Sequence, residues 1–275
     1  MGNSSAISSS AMWNIGRYAI MCFAGFWCVF LVAPIFVVIV SAFTAGDYLT
    51  FPPSGWSIRW FIEVANLSWF RSSFLTSILI STVSTAIAIL AGVLVARALA
   101  RYQPKGFVFI EFVALSPLIL PAVVLGFALF NVINILEIEQ HALANLIAGH
   151  VLVTIPFIVR SVWSAMAGTD VSYEEAAQSM GATPTVVFRK VVLPMARPGI
   201  LAGSVLAFTY SFNDVSISVF LAGSNAKPLA VELMSNMEYS ADPVPAAVST
   251  IMVAIAIGFF ILVERIGGMK MFVGK

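Results

Sequence analysis

The sequence predicts an all-α, polytopic membrane protein with six transmembrane helices and both termini in the cytoplasm. Three observations carry that expectation. Of 275 residues, 60% are hydrophobic and only 10% charged, whereas a soluble domain of this size has about a quarter of its residues charged. The apolar residues gather into long, nearly uncharged runs, each sufficient to cross the roughly 30 Å hydrocarbon core of a bilayer. The basic residues then divide unequally between the two faces. Eleven of the 14 Lys and Arg fall in the N-terminus, the second loop, the fourth loop and the C-terminus, and only Arg59, Arg71 and Lys227 fall on the other face. An excess of Lys and Arg marks the cytoplasmic side.

Taken in order, residues 1–17 open with a Ser-rich stretch and are expected to be a mobile cytoplasmic tail. Arg17 precedes an uncharged run from Tyr18 to Gly46. That run is far longer than a signal-peptide core and lacks a small-residue cleavage site, so it reads as a retained first span. Residues 47–70 hold Pro52, Pro53, Gly55 and the tryptophans Trp56, Trp60 and Trp69, the composition of a membrane–water interface. The second span, about 72–96, repeats a small residue every fourth position, Ser84, Ala88, Gly92 and Ala96. Such a ridge lets another helix backbone approach closely. Arg97, Arg101 and Lys105 follow.

The third span, 107–135, contains Pro117 and Pro121. Proline frees backbone groups that lipid cannot satisfy, so this span is expected to face other helices or a wet cavity. The fourth span, 142–166, carries Pro156 as a candidate kink and Arg160 near its end, where it can snorkel to the aqueous face. The fifth and sixth spans are expected at 198–222 and 243–263, and residues 266–275 form a cytoplasmic tail. Residues 18–265 thus make one transmembrane domain, with neither a second domain nor an internal repeat.

The polar stretch 168–199, between the fourth and fifth spans, carries helix signals of its own. Ser172 and Glu175 have the spacing of a capping box. Tyr173, Ala176, Ala177 and Met180 fall on one helical face. Gly181 is placed to end that helix in a left-handed conformation. Thr183-Pro184 opens a second helix with proline in the first turn, where no N–H is needed, and Leu193-Pro194 is expected to close it. A folded helix–turn–helix on the aqueous face of a membrane protein points to a docking surface.

The spaced set Glu175-Ala176-Ala177, Gly181 and Val191-Val192-Leu193-Pro194 resembles the EAA loop of ABC importer permeases, with Val191 where the pattern usually has Ile. The resemblance implies that this loop is a coupling helix that seats in a groove of a cytoplasmic ATPase. Tyr173, Glu174, Glu175, Ala176, Ala177, Gly181, Leu193 and Pro194 would be the contact residues. It further implies a bacterial inner-membrane, multi-pass location. The implied partners are a second homologous permease subunit, two ATPase subunits and a periplasmic solute-binding protein. Nucleic acid is not among them.

Asp214 is the one acidic residue well inside an expected span, since Glu111 and Glu264 sit near ends. An intramembrane carboxylate is costly unless paired or wet. Ser211 and Ser218 are expected to share its helix face. Two readings stand side by side: a substrate pathway suited to a cation, or a polar clamp between helices. Residues 206–223, Leu-Ala-Phe-Thr-Tyr-Ser-Phe-Asn-Asp-Val-Ser-Ile-Ser-Val-Phe-Leu-Ala-Gly, resemble the fifth span of the spermidine/putrescine permease subfamily. That subfamily usually has a second Asp where this chain has Asn213. Similarity continues at Pro228-Leu229 and Asp242-Pro243, the Pro-Leu-x-x-Pro run from Pro117 to Pro121 resembles the third span of the wider permease superfamily, and the resemblance covers most of residues 70–265. Ser211, Asn213, Asp214 and Ser218 are the candidate pathway residues.

No Gly-x-x-x-x-Gly-Lys-Ser/Thr phosphate loop is present, and no Ser/His/Asp or Cys/His set is arranged for nucleophilic attack. The chain is therefore expected to be a permease and not an enzyme, with no cofactor and no metal of its own, ATP being bound by a partner. Cys22 and Cys28 read as buried thiols without a redox role, and His141 and His150 as separately satisfied histidines rather than a metal pair. The expected solute is a polyamine. An opine, an aminophosphonate, another organic cation, ferric ion or an oxyanion are the alternatives on the same machinery. A secondary transporter working without an ATPase, with Asp214 as ion site, is the alternative from another class.

Overall fold

The computed structural model describes residues 4–101, 106–239 and 242–267. Within them the chain is helical, with two isolated β-bridges and no strand. The elements are α1 (Ser4–Ala42), α2 (Arg59–Asn66), α3 (Ser68–Arg101), α4 (Phe107–Ile119), α5 (Ala122–Ile135) and α6 (Ala142–Ala167). They continue with α7 (Ser172–Ser179), α8 (Pro184–Val187), a π-helical turn (Phe188–Val192), α9 (Leu193–Asn213), α10 (Ser218–Leu221), α11 (Leu229–Tyr239) and α12 (Val244–Gly267). Five stretches among the described residues are long and apolar enough to cross a membrane, and α4 with α5 makes a sixth if the bent pair counts as one broken span.

Two compact units emerge, Met1–Asn66 with Ser240–Val253, and Leu67–Tyr239 with Ala254–Lys275. In the first, α1 is helical from Ser4 onward, so the stretch expected as a loose tail is continuous with the first span; residues 1–3 lie outside the described residues. Most side chains of α1 from Gly16 to Phe36 are exposed, Cys22 and Cys28 among them as free thiols. That corrects the expectation of buried thiols: along this stretch of α1 the side chains lie outside the packed core, and an apolar run alone does not say which of its residues a core covers. The loop after α1 closes on itself, Ala45 N–H donating to Gly55 O (2.9 Å) and Ser57 N–H to Phe43 O (2.8 Å). The Arg59 guanidinium bonds Gly46 O at 2.8 Å, pairs with Asp47 and lies over the Trp60 ring. Trp60 and Val64, one turn apart, are the buried face of α2.

The second unit is built on α3, α6 and α9, which pack on one another. Lipid tails are as apolar as leucine, so helices associate there by close packing and interhelical hydrogen bonds. The small-residue ridge of α3 does this: Ser84, Ala88, Gly92 and Ala96 are all buried. A Cβ on Gly92 would stand 2.8 Å from Ile158 Cγ2. From α9, a Cβ on Gly199 would stand 2.5 Å from Ser161 O and one on Gly203 3.1 Å from Ile158 Cα. Ile158 is fully buried between the two contacts. The Ser84 hydroxyl donates to Ile147 O (3.2 Å), and Leu229 N–H, at the start of α11, donates to Ser77 Oγ (2.8 Å).

Two expected spans and the second helix of the polar stretch differ in detail. The third span is not one helix: α4 and α5 meet at 105°. Proline disfavours the helical region for its predecessor, and Leu120, before Pro121, is extended at φ −75°, ψ 140°. Pro117, by contrast, sits inside α4. The second helix of the polar stretch does not close at Leu193-Pro194. It passes through the π-helical turn, where Leu193 N–H reaches back to Phe188 O, and runs on as α9 with Pro194 in its first turn. A π turn shifts the hydrogen-bond ladder by one residue, which accommodates a residue without an N–H. The fifth span then stops at Asn213 instead of continuing to 222, because Asp214 is extended at φ −70°, ψ 127°. Lys105, Lys270 and Lys275 lie outside the described residues.

Candidate functional site

Two polar centres stand out in the second unit. The first surrounds α7. Its N-terminus is capped by Asp170, whose carboxylate accepts the Ser172 N–H at 2.9 Å. The expected Ser172–Glu175 capping box is not formed. An Asp side chain readily bonds the N–H two residues on, and Asp170 occupies that donor first. The backbone and side-chain hydrogen bonds of Ser172, with the positive field of Arg101, hold the Asp170 carboxyl below its ordinary range. At the other end Gly181 has φ +86°. Ala182 N–H donates to Ala177 O (3.1 Å) and Gly181 N–H to Gln178 O (2.9 Å), the paired bonds of a Schellman ending.

Of the residues assigned to this loop, Tyr173, Glu175, Ala176 and Gly181 are exposed, as is Met180. Tyr173, Ala176 and Met180 form one outward face. Ala177 does not join them; it is buried with Glu174 on the inner face, three residues apart. Glu174 is 5% exposed. Its Oε1 accepts Arg101 Nε–H at 2.8 Å and its Oε2 accepts Arg97 Nη2–H at 3.3 Å. Leu193 is half-buried and Pro194 exposed, both in the first turn of α9.

The second centre is the break after α9. Asp214 is 8% exposed. One carboxylate oxygen, Oδ2, accepts Ile217 N–H (3.0 Å), Ser218 N–H (3.0 Å) and Ser218 Oγ–H (3.2 Å). Among the described residues no Lys, Arg or His lies within salt-bridge distance of it. Ser211 and Ser218 are buried and reach His150 on α6, at 2.7 Å from Nδ1 and 3.0 Å from Nε2. With the Ser218 hydroxyl donating to Asp214, its oxygen accepts from the ring, so Nε2 carries a proton. His150 is the site residue that sequence reasoning did not assign, and no spacing signal pointed to it: it sits 61 residues from Ser211.

Ser211 and Ser218 therefore do not share a helix face with Asp214, because the helix ends between them; a folded-back turn and an imidazole bring them together. Asn213 and Asp214 instead line a cleft of about 540 Å³ with Thr209, Tyr210, Phe157 and Leu206. The Asn213 amide N–H donates to Thr209 O (2.9 Å). Phe157 and Tyr210 rings lie 5.1 Å apart at its wall. Phe157 and Leu206 also line a second cleft, of about 720 Å³, with Arg160, Ser161 and Ser164. No cluster of His, Cys, Asp and Glu suited to a metal occurs among the described residues.

Comparison with known proteins bears on this geometry. The spermidine/putrescine transport system permease protein PotC of Haemophilus influenzae is 30% identical over 244 residues, covering 86% of this chain and 91% of that protein. PotC of Escherichia coli K12 is 29% identical over 228 residues, covering 83% and 86%. A chain of a bacterial alginate ABC transporter, solved in complex with an alginate pentasaccharide-bound periplasmic protein, shares the fold with a TM-score of 0.74 at 14% identity, covering 97% of this chain and 99% of that one. The family model of binding-protein-dependent transport system inner membrane components matches residues 88–268. The match takes in the C-terminal part of α3, all of α6 and α9, the α7 loop and the Asp214 break, and this chain belongs to that family, as a permease subunit of an ABC importer.

Proposed function

We propose that this permease carries a small organic cation of the polyamine class, and that Asp214 and Asn213 mark its path. The observation that supports the reading is the state of Asp214. Among the described residues its charge is met only by neutral N–H and O–H donors on one oxygen, and it borders an open cleft with an aromatic wall. Neutral donors stabilise a carboxylate without cancelling its charge, so its field remains available to an arriving ammonium group. Aromatic faces add cation–π attraction. Ser211, Ser218 and His150 hold the turn that presents Asp214. The names of the PotC relatives agree with this class of solute.

The chain carries no phosphate-binding loop of its own, so ATP is bound by partner ATPase subunits and no cofactor resides here. The exposed face of α7, with Tyr173, Glu175, Ala176 and Met180, is the surface that seats on an ATPase subunit in the cytoplasm. Arg97 and Arg101 at the C-terminal end of α3, with Arg189 and Lys190 in the π turn, accord with that side. A second permease chain completes the pathway, and a periplasmic binding protein delivers the solute.

The experiment is uptake of labelled putrescine into proteoliposomes holding the permease pair, its ATPase subunits and loaded binding protein. Uptake that depends on ATP and fails in Asp214→Asn supports the reading. An anionic solute is the second reading, favoured by Arg160 beside Ser161 and Ser164 in the neighbouring cleft. Uptake of sulfate in place of putrescine, sensitive to Arg160→Gln and indifferent to Asp214→Asn, would establish it instead.

A further inference from the structure

Helix α7 is joined through the chain to α6 on one side and, through α8 and the π turn, to α9 on the other. Helix α3 is remote from it in sequence, yet the side-chain bonds tie α7 to α3. Arg101, in the last turn of α3, donates Nε–H to Glu174 Oε1 at 2.8 Å. Its two terminal nitrogens donate to Thr169 O at 3.2 Å, and Nη2 also to Thr169 Oγ1 at 2.9 Å. The Thr169 hydroxyl in turn donates to Met166 O at the end of α6 (2.8 Å). One turn earlier, Arg97 donates to Glu174 Oε2 and lies over the Phe188 ring, 5.2 Å from its centroid, in the π turn. The pair thus grips three parts of the loop: its entry at Thr169, its helix at Glu174 and its exit at Phe188.

The side chains of Glu174 and Arg101 are 7% and 8% exposed, and that of Arg97 15%. A surface ion pair contributes little, because water and salt screen it. A buried one is different: removing either partner leaves an uncompensated charge away from water. Arg101 also offers the fixed guanidinium fork, which satisfies a carboxylate and a carbonyl in one geometry. Glu174 and Glu175 are adjacent carboxylates in unlike surroundings, one buried against two guanidiniums and the other exposed.

We infer that Arg97, Arg101 and Glu174 form a permanent latch that makes α7 one rigid body with the α3–α6–α9 core. A push on α7 then moves α3 directly, and not only the two helices to which the loop is joined by the chain. The three residues are positioning residues; none touches solute. The inference deepens the proposed coupling role of α7 and rests on it.

The test is a spin-label distance between Leu94→Cys on α3 and Gln178→Cys on α7, both exposed positions and neither among the docking residues, with Cys22 and Cys28 replaced by alanine. The full complex with its ATPase subunits is held in nanodiscs. The expected result is one narrow distance, the same without nucleotide and after trapping with ATP and vanadate. Glu174→Gln should broaden it and lower ATP-driven putrescine uptake about tenfold, the scale of one lost charge-assisted hydrogen bond. Arg101→Lys, which keeps the charge and loses the fork, is the milder variant and should broaden the distance with insertion unchanged. A distance that shifts with nucleotide in the otherwise native protein, or stays narrow in both variants, overturns the latch. Co-purification reports separately on docking: Glu175→Arg should shed the ATPase subunits while keeping the narrow distance. Retention of those subunits by Glu175→Arg sinks the docking surface, whereas the distance alone decides the latch.

Discussion

Glu174 and Asp214 are both buried carboxylates on the same three-helix core, and they are held in opposite ways. Glu174 meets two guanidiniums that are themselves fixed by Thr169 and Phe188. Asp214 meets amide and hydroxyl donors on a single oxygen. A carboxylate cancelled by fixed cations is spent on architecture. One held by neutral donors keeps a negative field that a passing cation can use. On the proposed reading, the difference separates a region that transmits force from a region that can receive a solute, although both are rare charges in an apolar chain.

The sharpest way to break the contrast is at the exposed neighbour of the latch. Glu175→Arg should reduce ATP-driven uptake by about a hundredfold or more, since reversing a contact charge costs several kcal/mol, while the protein still inserts. Co-purification of the ATPase subunits and uptake are the measurements, and full retention of both would remove α7 from the coupling role. Next comes Asp214→Asn, which keeps the shape and removes the charge. Putrescine uptake should drop by roughly tenfold or more with the ATPase subunits still bound. An unchanged rate would return Asp214 to the role of a helix clamp.

Packing should affect both regions together. Gly199→Val places a branched side chain where a Cβ already meets Ser161 O at 2.5 Å. Overpacking of this kind costs about 1–3 kcal/mol, so a lower thermal midpoint in detergent is expected, along with equal loss at the two centres. The smallest effect is a pH effect. The Asp170 carboxyl lies below its ordinary range because it accepts hydrogen bonds from Ser172. Its help to α7 is therefore complete above the unfolded value of about 3.9, and fades as pH falls through the lower folded value. A spin label at Ala176→Cys should keep constant mobility between about pH 8 and pH 5 and loosen only in stronger acid. Asp170→Asn should remove that step; a step that persists assigns it to another group.

Much of this was legible in advance, and the reason lies in which interactions are local. Hydrophobic run length marked the membrane-crossing helices. The four-residue ridge of α3 marked the face that packs, because helical periodicity turns spacing into direction. Gly181 announced a left-handed residue, and Thr183-Pro184 a helix start. The failures were also local in kind. Ser172 and Glu175 had capping-box spacing, but Asp170 competed for the same donor. Leu193-Pro194 read as an end because proline lacks an N–H, yet a π turn absorbed the defect. The break after Asn213 was hidden inside an apolar run, since a span that bends on its own carboxylate has the composition of one that does not.

By itself the sequence determined the class of protein, its membrane-crossing helices, its basic face and the presence of a folded element between the fourth and fifth spans. These follow from composition and from contacts within a few residues. Only the tertiary structure decided which of two adjacent glutamates is locked and which is free. It also brought His150 to the serines on either side of the Asp214 turn, and gave Arg101 its grip on Thr169. Those pairings join residues 61 to 77 positions apart. A buried polar group must find a partner wherever the packed helices bring one, and no local pattern encodes where that is.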